Sequence, residues 1–270
     1  MKHLYTAFAL AFLIVATQSN HAQTIVASDN AGDPAYNSGW APGSNGGTGF
    51  GAWSLPGSTG TPGTNNVAGF NGAFTGSATG FSNYSSIYTS GKAFSIYAGD
   101  NGGSGAFQDA SRPFSLALAS GQTFTHSIAF SFDNGNKGFD LYSNLDGTGQ
   151  VFNFNINNTG YAWTGGRSAS MTTWNGFREN GVVINFSFTR TASGFDYSIA
   201  SAQDLNLSQA GSVTAAGIGS VKYYISGAGG GDGGNLFFNN LSVIPEPSSS
   251  LLMGLGLAGL AALRRVRKNH

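Results

Sequence analysis

The sequence predicts an all-β protein, an antiparallel β-sandwich of jelly-roll type. Three observations lead to this prediction: apolar and polar residues alternate over several short stretches, Gly and Asn residues that favour turns separate them, and charge is scarce. Only 9% of the residues are charged, whereas the 270 residues include 42 Gly and 21 Phe. Helical proteins are instead rich in Ala, Leu, Glu and Lys. The hydrophobic content of 40% provides enough apolar area to order the chain.

Three stretches alternate with a period of two, which places one face of each strand in a core and the other in solvent. Their apolar faces begin at Phe124, Phe152 and Val182 and extend over residues 124–132, 152–156 and 182–188. Further strands are predicted over residues 93–97, 114–119, 138–143, 195–200, 221–226 and 235–243. Gly and Asn tolerate the positive φ of tight hairpins, so residues 133–136, 145–147, 157–160 and 192–194 are predicted turns.

Residues 23–92 differ in composition from the alternating stretches that follow them. They are rich in Gly, Ser, Asn and Thr, and we expect at most short strands there. Buried aromatic rings usually serve packing, so we expect the single aromatics of this part to plug long loops into the edge of the sandwich. These aromatics are Trp40, Phe50, Trp53, Phe70, Phe74 and Phe81. The Gly-rich residues 227–234 are a predicted loop, without the Lys that a phosphate cradle requires.

The first 22 residues have the pattern of a secretory signal peptide. Lys2 and His3 precede an apolar run over residues 7–16, and Ala22 follows a polar stretch. The run is too short for the roughly 20 residues of a membrane-spanning helix. We expect export through the Sec translocon and cleavage by signal peptidase after Ala22, with a buried N-terminal strand or helix as the alternative. Residues 23–244 would then form one Gly-rich β-sandwich domain.

Residues 245–270 form a tail of three parts. Pro245-Glu246-Pro247 comes first, and its prolines end the preceding strand because each lacks an N–H and fixes φ. The apolar residues 251–263 follow; as a short helix they span only about 20 Å, against a hydrocarbon core of about 30 Å. A basic cluster then holds the terminus on the cytoplasmic side; it consists of Arg264, Arg265, Arg267 and Lys268. A permanent tail anchor is the alternative to a transient, processed span.

This tail resembles the PEP-CTERM sorting signal in its Pro245-Glu246-Pro247 tripeptide, its apolar run and its Arg-rich end. The resemblance implies recognition of residues 245–247 by the membrane transpeptidase-like enzyme exosortase and cleavage near the tripeptide. It also implies a transient inner-membrane intermediate, followed by transfer to the cell surface or the extracellular space of a Gram-negative bacterium that makes extracellular polysaccharide. The middle region resembles the Gly-rich sandwich modules of other PEP-CTERM proteins and, loosely, concanavalin-type jelly rolls.

Charge and cysteine content exclude several classes of function. Residues 23–244 hold seven basic and eleven acidic residues, a net charge of −4. Nucleic-acid binding depends on clustered Lys and Arg, so the sequence excludes that class. The chain has no cysteine, which excludes disulfides, thiolate metal sites and Cys nucleophiles.

Side chains suited to catalysis are scarce, and we therefore expect no enzyme. His126 is the single histidine of residues 23–244, and its neighbours Phe124 and Ile128 place it at a core edge rather than in a Ser-His-Asp triad. Glu179 is the only glutamate before the tail, so the close Glu/Asp cluster of polysaccharide-cleaving jelly rolls is missing.

Asp and Asn cluster in several predicted turns, where their oxygens are suitable ligands for calcium. Asp133 and Asp140 are the candidates for such a site. Hairpin turns favour the same residues, and none of these turns matches an EF-hand loop. We expect no cofactor, with calcium as the alternative.

Two classes of function remain. The first is an exported structural or adhesive protein of the cell surface or extracellular matrix, associated with exopolysaccharide in a biofilm. The second is a carbohydrate-binding module that stacks exposed Trp rings on sugars; its candidate residues are Trp40, Trp53, Trp163 and Trp174. Core or edge packing is the alternative for all four, because Trp is highly buried on average.

Overall fold

Period-two alternation forms strands wherever the sequence carries it, and the predicted all-β fold is confirmed. The computed structural model describes residues 25–58, 71–101, 104–157, 160–164, 167–169, 180–201, 203, 208–229 and 231–245. The strands are β1 (Ala27–Asp29), β2 (Asn71–Gly76), β3 (Ala93–Ala98), β4 (Asp100–Asn101), β5 (Ser104–Gly105), β6 (Phe107–Pro113), β7 (Thr123–Phe130), β8 (Asn136–Tyr142), β9 (Gln150–Asn157), β10 (Gly160–Trp163), β11 (Arg167–Ala169), β12 (Val182–Arg190), β13 (Gly194–Ser201), β14 (Ser208–Thr214), β15 (Ser220–Ser226) and β16 (Leu236–Ile244). Short 3₁₀ helices cover Pro34–Tyr36 and Ser82–Ser86.

Two antiparallel sheets make up the sandwich. The eight-stranded sheet has the order β14-β13-β12-β7-β16-β3-β2, and β1 pairs with β16 beside this path. The six-stranded sheet has the order β11-β10-β9-β8-β15-β6. Strands β4 and β5 form a separate small hairpin. Because β15 lies between β8 and β6, strands distant in sequence share one outer surface.

Aromatic rings fill the space between the two sheets. Phe186 of β12 packs edge-to-face on Phe139 of β8 at 4.7 Å between ring centroids, and on Phe154 of β9 at 4.9 Å. Phe188 makes the same kind of contact with Phe152 at 5.0 Å. Each such pair stabilises the fold by about 0.5–1.5 kcal/mol beyond the area it buries. The period-two aromatics therefore build the core, as their alternation predicts.

A buried polar cluster holds the loop segment over residues 25–58 against the sandwich. Arg112 of β6 forms an ion pair with Asp29, and its Nε donates to the Gly51 carbonyl at 3.0 Å. Asp29 also accepts hydrogen bonds from Tyr36 Oη at 2.7 Å and from Trp53 Nε1 at 3.3 Å. A buried carboxylate is costly without such partners. The cluster therefore fixes the loops to the edge strand β6.

The single aromatics of residues 23–92 that the structure describes pack against the sandwich, as predicted. Trp40, Phe50 and Trp53 belong to the main core cluster. Phe74 and Phe81 pack against a second, smaller cluster on the outer side of the eight-stranded sheet. Phe70 lies outside the described residues.

The strand predicted over residues 114–119 is wrong. This segment connects β6 in one sheet to β7 in the other, so it crosses the end of the sandwich and cannot continue either ladder. Leu116, which the alternation assigns to the core, is 82% exposed. The strand lies just before it, at β6, where alternation is hidden because the inward Gln108 and Arg112 bind loop carbonyls instead of apolar side chains.

The turn predicted at residues 133–136 forms, but it is not a hairpin turn. It joins β7 in the eight-stranded sheet to β8 in the six-stranded sheet. Gly135 has a φ of 68°, and a Cβ there would lie 2.3 Å from the Ser226 carbonyl oxygen. Glycine is required because the chain reverses in a left-handed conformation against another strand end. The turns at 145–147 and 192–194 do close hairpins, between β8 and β9 and between β12 and β13.

Candidate functional site

The Trp residues predicted as exposed sugar platforms lie in the core. Trp40, Trp53 and Trp163 are only 5%, 2% and 6% exposed. Trp53 packs against Trp40 at 5.2 Å, and Trp163 Nε1 donates to Tyr197 Oη at 3.3 Å. The prediction of exposed rings is therefore wrong for these three residues, because their large apolar area is buried between sheets and loops. Trp174 lies outside the described residues.

His126 is an apolar core residue. Its ring stacks on Phe124 and Phe186, each at 5.1 Å, and meets the edge of Phe139 at 4.4 Å. Burial lowers the pKa of His126 to about 3. Within the described part of the chain, neither ring nitrogen makes a hydrogen bond. The imidazole is neutral and lies deeper in the core than the predicted core edge.

The two calcium candidates, Asp133 and Asp140, lie in different surroundings. Asp140 is buried on the outer side of β8 and ion-paired with Lys222 at 3.1 Å, whereas Asp133 lies in the turn before β8. Among the residues that the structure describes, no group of three or more His, Cys, Asp or Glu is arranged to hold a metal ion. Calcium binding at Asp133 or Asp140 stays a prediction.

The predicted sorting segment begins where β16 ends. β16 pairs with β7 and β3 and finishes at Ile244, and Pro245 follows directly. Glu246, Pro247, the apolar residues 251–263 and the basic cluster over 264–268 lie outside the described residues, as does the predicted signal peptide. No helix in the part of the chain that is described is long and apolar enough to cross a membrane.

A second candidate region lies on the outer face of the six-stranded sheet. Lys222 of β15 is opposite Asp140 of β8, Tyr224 is opposite Gly138, and Tyr142 lies at the other end of the same register. Residues two apart on a strand point to the same side, so these side chains form one surface. We call it the tyrosine face and define it by Asp109, Asp140, Tyr142, Asn153, Lys222 and Tyr224.

Asp140 is the centre of a hydrogen-bond network on this face. Its Oδ1 accepts from Asn153 Nδ2 at 2.8 Å and from the Gln150 amide. Its Oδ2 accepts from Tyr142 Oη at 3.1 Å and pairs with the Lys222 ammonium at 3.1 Å. Charge-assisted hydrogen bonds of this kind are stronger than neutral ones. The network therefore holds long side chains from three strands in defined positions.

Tyr224 lies across the neighbouring strand because that strand has a glycine opposite it. Its hydroxyl accepts from Asn153 Nδ2 at 2.9 Å and shares its proton between the Phe154 carbonyl at 3.2 Å and Asn155 Oδ1 at 3.1 Å, all on β9. To reach β9 the side chain passes over Gly138 of β8, where a Cβ would lie 3.1 Å from the hydroxyl. The ring of Tyr224 is thus half-buried, with its hydroxyl held against β9.

Lys222 lies between two aromatic rings and two carboxylates. Its Nζ is 5.7 Å from the ring centroids of both Tyr142 and Tyr224, and 4.0 Å from Asp109 Oδ2. Partial burial acts to lower the pKa of Lys222, but the hydrogen bonds and charges of Tyr142, Asp140 and Asp109 outweigh it and raise the pKa. The ammonium therefore stays charged, with 29% of the side chain exposed.

The tyrosine face continues into features at both of its ends. Beside Tyr142 lies a cleft of about 320 Å³, which the β8–β9 loop closes with Leu145 and Asp146. At the other end Phe107 of β6, which lies opposite Ser226, is 37% exposed. The region is thus an elongated surface with apolar groups at its ends and a charged pair in its middle.

Sequence reasoning missed this region. Tyr142 and Tyr224 occupy outward positions of predicted strands, where an aromatic residue is a usable signal for a contact surface. The alternation does not say which strands are neighbours, however. β15 is inserted between β8 and β6, far from both in sequence.

The fold and the tyrosine face together define an antiparallel two-sheet β-sandwich with a built polar and aromatic outer surface. Residues 243–268 match the family described as "PEP-CTERM protein-sorting motif". The chain therefore carries this motif, as its tail predicts, and the motif indicates an extracellular protein that is exported and sorted to the cell surface by exosortase. The matched range includes the tripeptide at 245–247 and the basic end. Among curated proteins, no match was found.

Solved structures with a similar fold include a protein titled "Sialidase", with a TM-score of 0.50 and 11% identity over 84% of this chain. This chain spans only 19% of that protein's length. A family 11 carbohydrate-binding module from Clostridium thermocellum, in complex with a mixed-linked tetrasaccharide, has a TM-score of 0.32 and 10% identity, and the match covers 83% of this chain and 98% of the module. An endo-1,3-beta-glucanase from Streptomyces sioyaensis has a TM-score of 0.36 and 11% identity, over 72% of this chain and 90% of that protein. The first of these similarities supports the β-sandwich fold alone.

Proposed function

We propose that this protein is a structural or adhesive component of the bacterial cell surface, retained in extracellular polysaccharide after sorting by exosortase. The observation that carries this proposal is the match of residues 243–268 to the PEP-CTERM protein-sorting motif. Export would begin with the Sec translocon and signal peptidase acting on residues 1–22. The tail would then hold the protein in the inner membrane until exosortase cuts near residues 245–247.

The composition supports an extracellular structural role. The sandwich needs no disulfide, because a domain of this size buries enough apolar area to be stable alone. Much of its outer surface carries Ser, Thr and Asn rather than charge, and the net charge of −4 over residues 23–244 is small. Such a surface is hydrated without strong attraction to or repulsion from neighbouring polymers.

The test is the mass and location of the protein in its native host. We expect the intact mass of the surface fraction to lack both residues 1–22 and most of residues 248–270. In a variant with Pro245→Ala and Pro247→Ala, and equally in cells without exosortase, we expect the tail to remain and the protein to stay in the inner membrane. A Ser249→Ala variant, changed in the same segment outside the tripeptide, is the matched control and should be sorted normally.

Two results would contradict the sorting step of the proposal. One is a wild-type protein that keeps residues 251–270 in the membrane while exosortase is active. The other is normal sorting of the double Pro variant. A sorted protein that washes freely from the cells, with no retention in the extracellular polysaccharide, would leave the sorting pathway standing and remove the structural role.

A further inference from the structure

We propose that the tyrosine face binds a neutral extracellular polysaccharide, with sugar rings stacked on Tyr142 and Tyr224 and a sugar hydroxyl hydrogen-bonded by Lys222. This inference rests on the proposed function, because an exported protein held near polysaccharide is the one that meets such a polymer. The sorting motif by itself specifies neither the polymer that the protein contacts nor the surface that binds it.

The two tyrosine rings are suited to stacking because their positions are set before any ligand arrives. Tyr224 is anchored through its hydroxyl on β9 and lies over Gly138. Tyr142 is anchored through its hydroxyl to Asp140 at 3.1 Å. A fixed ring loses little conformational entropy on binding, and its apolar face matches the C–H groups of a sugar ring.

The spacing of the rings indicates a polymer rather than a single small molecule. In the β15–β8 register, Tyr142 is opposite Ser220 and Tyr224 is opposite Gly138, four positions further along. Four residues of antiparallel strand extend about 13 Å, and the two ring centroids are somewhat closer than this because each lies 5.7 Å from the Lys222 Nζ. The cleft beside Leu145 and the exposed Phe107 lengthen this surface at its two ends. Several consecutive sugar units are needed to contact all of it.

Between the rings, Lys222 retains capacity for a hydrogen bond to a hydroxyl group. An ammonium has three donors; Asp140 and Tyr142 accept two of them, and Asp109 Oδ2, 4.0 Å from the Lys222 Nζ, lies beyond hydrogen-bond distance. The Asp140 oxygens already hold Asn153 and Tyr142 in place, so the network is organised without a ligand. A few polar groups fixed between apolar contacts are what confers orientation and specificity in a ligand site.

The charge of the face favours a neutral polymer over an acidic one. One ammonium, from Lys222, is set against two carboxylates, from Asp109 and Asp140, and Asp146 adds a third at the cleft, where Arg112 is neutralised by its ion pair with Asp29. An acidic polysaccharide would be repelled by this excess of negative charge. Pro-rich peptides also dock in aromatic grooves, but they bury apolar rings and offer few donors. The ion pair between the two tyrosines suits a partner rich in hydroxyl groups.

The experiment measures polysaccharide retention of the exported protein, purified from its native host, by affinity electrophoresis. The probes are the extracellular polysaccharide of the host, a neutral mixed-linked β-glucan, the acidic polymer alginate and, by fluorescence anisotropy, a labelled Pro-rich peptide. We expect retention by at least one neutral polymer. We expect Tyr142→Ala and Tyr224→Ala each to weaken it roughly tenfold, which is the contribution of one stacked aromatic ring.

Matched controls separate binding from folding and location. Ser198→Ala, on the outer face of the eight-stranded sheet, should bind like the wild type. Tyr224→Phe keeps the ring and loses its anchor, and we expect an intermediate, roughly threefold loss. If Tyr224→Ala lowers the thermal unfolding temperature so far that it fails to fold, Tyr142→Ala carries the test, because its hydroxyl bonds to two side chains of the face, Asp140 and Lys222, whereas that of Tyr224 is also bonded to the β9 backbone.

Each remaining result overturns the inference. Binding to none of the neutral polymers, unchanged binding by both Ala variants, or binding only to alginate or only to the peptide would exclude this site. Such a result, obtained with a protein that is correctly sorted and retained at the surface, leaves the proposed function intact. Failure of sorting itself, seen by mass and fractionation, counts against the proposed function instead.

Discussion

The two outer faces of the sandwich expose different kinds of side chain to water. On the eight-stranded sheet, a small apolar cluster covers one part, and over β7 and β12 small side chains pair across the strands: Thr123 with Thr189 at 2.9 Å, and Ser127 with Asn185 at 2.6 Å. On the six-stranded sheet, long side chains such as Tyr224 and Lys222 are fixed by a network over three strands. Ordering a long side chain costs up to about 2 kcal/mol of entropy, whereas a short one costs far less. Solubility alone does not require the second arrangement, which points to contact with a partner.

The largest effect is expected from replacing an arginine. The comparison is between Arg112 in the six-stranded sheet and Arg190 in the eight-stranded sheet, and the quantity is the free energy of unfolding. Arg112→Met leaves Asp29 buried without its ion pair, so we expect a loss of about 3–5 kcal/mol in the free energy of unfolding. Arg190→Met, at the end of β12, removes bonds to the carbonyls of Thr191, Gly194 and Ala216 at a partly exposed site, and should cost about 1 kcal/mol. Urea unfolding curves measure both, and equal losses would contradict this contrast.

A second test uses the core that the two faces share. The pKa of His126 is lowered to about 3 by burial, while an unfolded histidine titrates near 6.5. The unfolded state therefore binds more protons between these values, and stability is lost as pH falls below about 6.5. Compared with His126→Phe, we expect the wild type to lose about 1.4 kcal/mol per pH unit, or roughly 3 kcal/mol between pH 6.5 and pH 4.

Thermal unfolding of both proteins over this pH range gives the difference directly, and contributions of the other acidic groups cancel in it. Parallel pH curves for wild type and His126→Phe would show that the imidazole has the same pKa in the folded and unfolded states, which would contradict this prediction.

A third test compares one glycine in each sheet. A Cβ at Gly138 would lie 1.8 Å from the Phe154 carbonyl oxygen, which is backbone and cannot yield, so Gly138→Ala should cost about 2–3 kcal/mol and displace Tyr224. A Cβ at Gly72 of β2 would lie 2.6 Å from Tyr97 Oη, the far end of a half-buried side chain that can move toward solvent. We expect Gly72→Ala to cost about 1 kcal/mol or less. Chemical denaturation checks the order, and a larger loss at Gly72 would reverse it.

The smallest effect is expected on the face of the eight-stranded sheet. Asn185→Ala removes an exposed hydrogen bond to Ser127 and should change the free energy of unfolding by no more than about 0.5 kcal/mol. Polysaccharide retention should be unchanged. A tenfold loss of polysaccharide retention in this variant would place the contact surface on the eight-stranded sheet. It would contradict the proposed difference between the two outer faces.

Alternation predicted the strands with apolar inner faces, because side-chain period and burial are coupled there. It failed where the inner face is polar. β6 places Gln108 and Arg112 inward, against loop carbonyls, and β14 has exposed or half-buried side chains throughout. The converse error occurred at Leu116, where an apolar residue lies in a connection between sheets.

For the candidate sites, the type of an aromatic residue did not predict whether its ring is exposed, whereas its position on a strand did. Trp40, Trp53 and Trp163 are residues of the type that stacks on sugars, yet all three rings are buried. Tyr142 and Tyr224 occupy outward strand positions, but their juxtaposition requires knowledge of the strand order. The tail is the opposite case, because its three parts are contiguous in the chain and need no tertiary structure to be read.

The sequence by itself determined the fold class and the sorting motif, because both depend on patterns between residues that are close along the chain. The alternation sets strand faces, and the motif at residues 243–268 is a continuous segment. Only the tertiary structure decided which tryptophans are buried and which tyrosines share a surface with Lys222 and Asp140. Strand order and register join residues more than 80 positions apart, and no local pattern specifies that pairing.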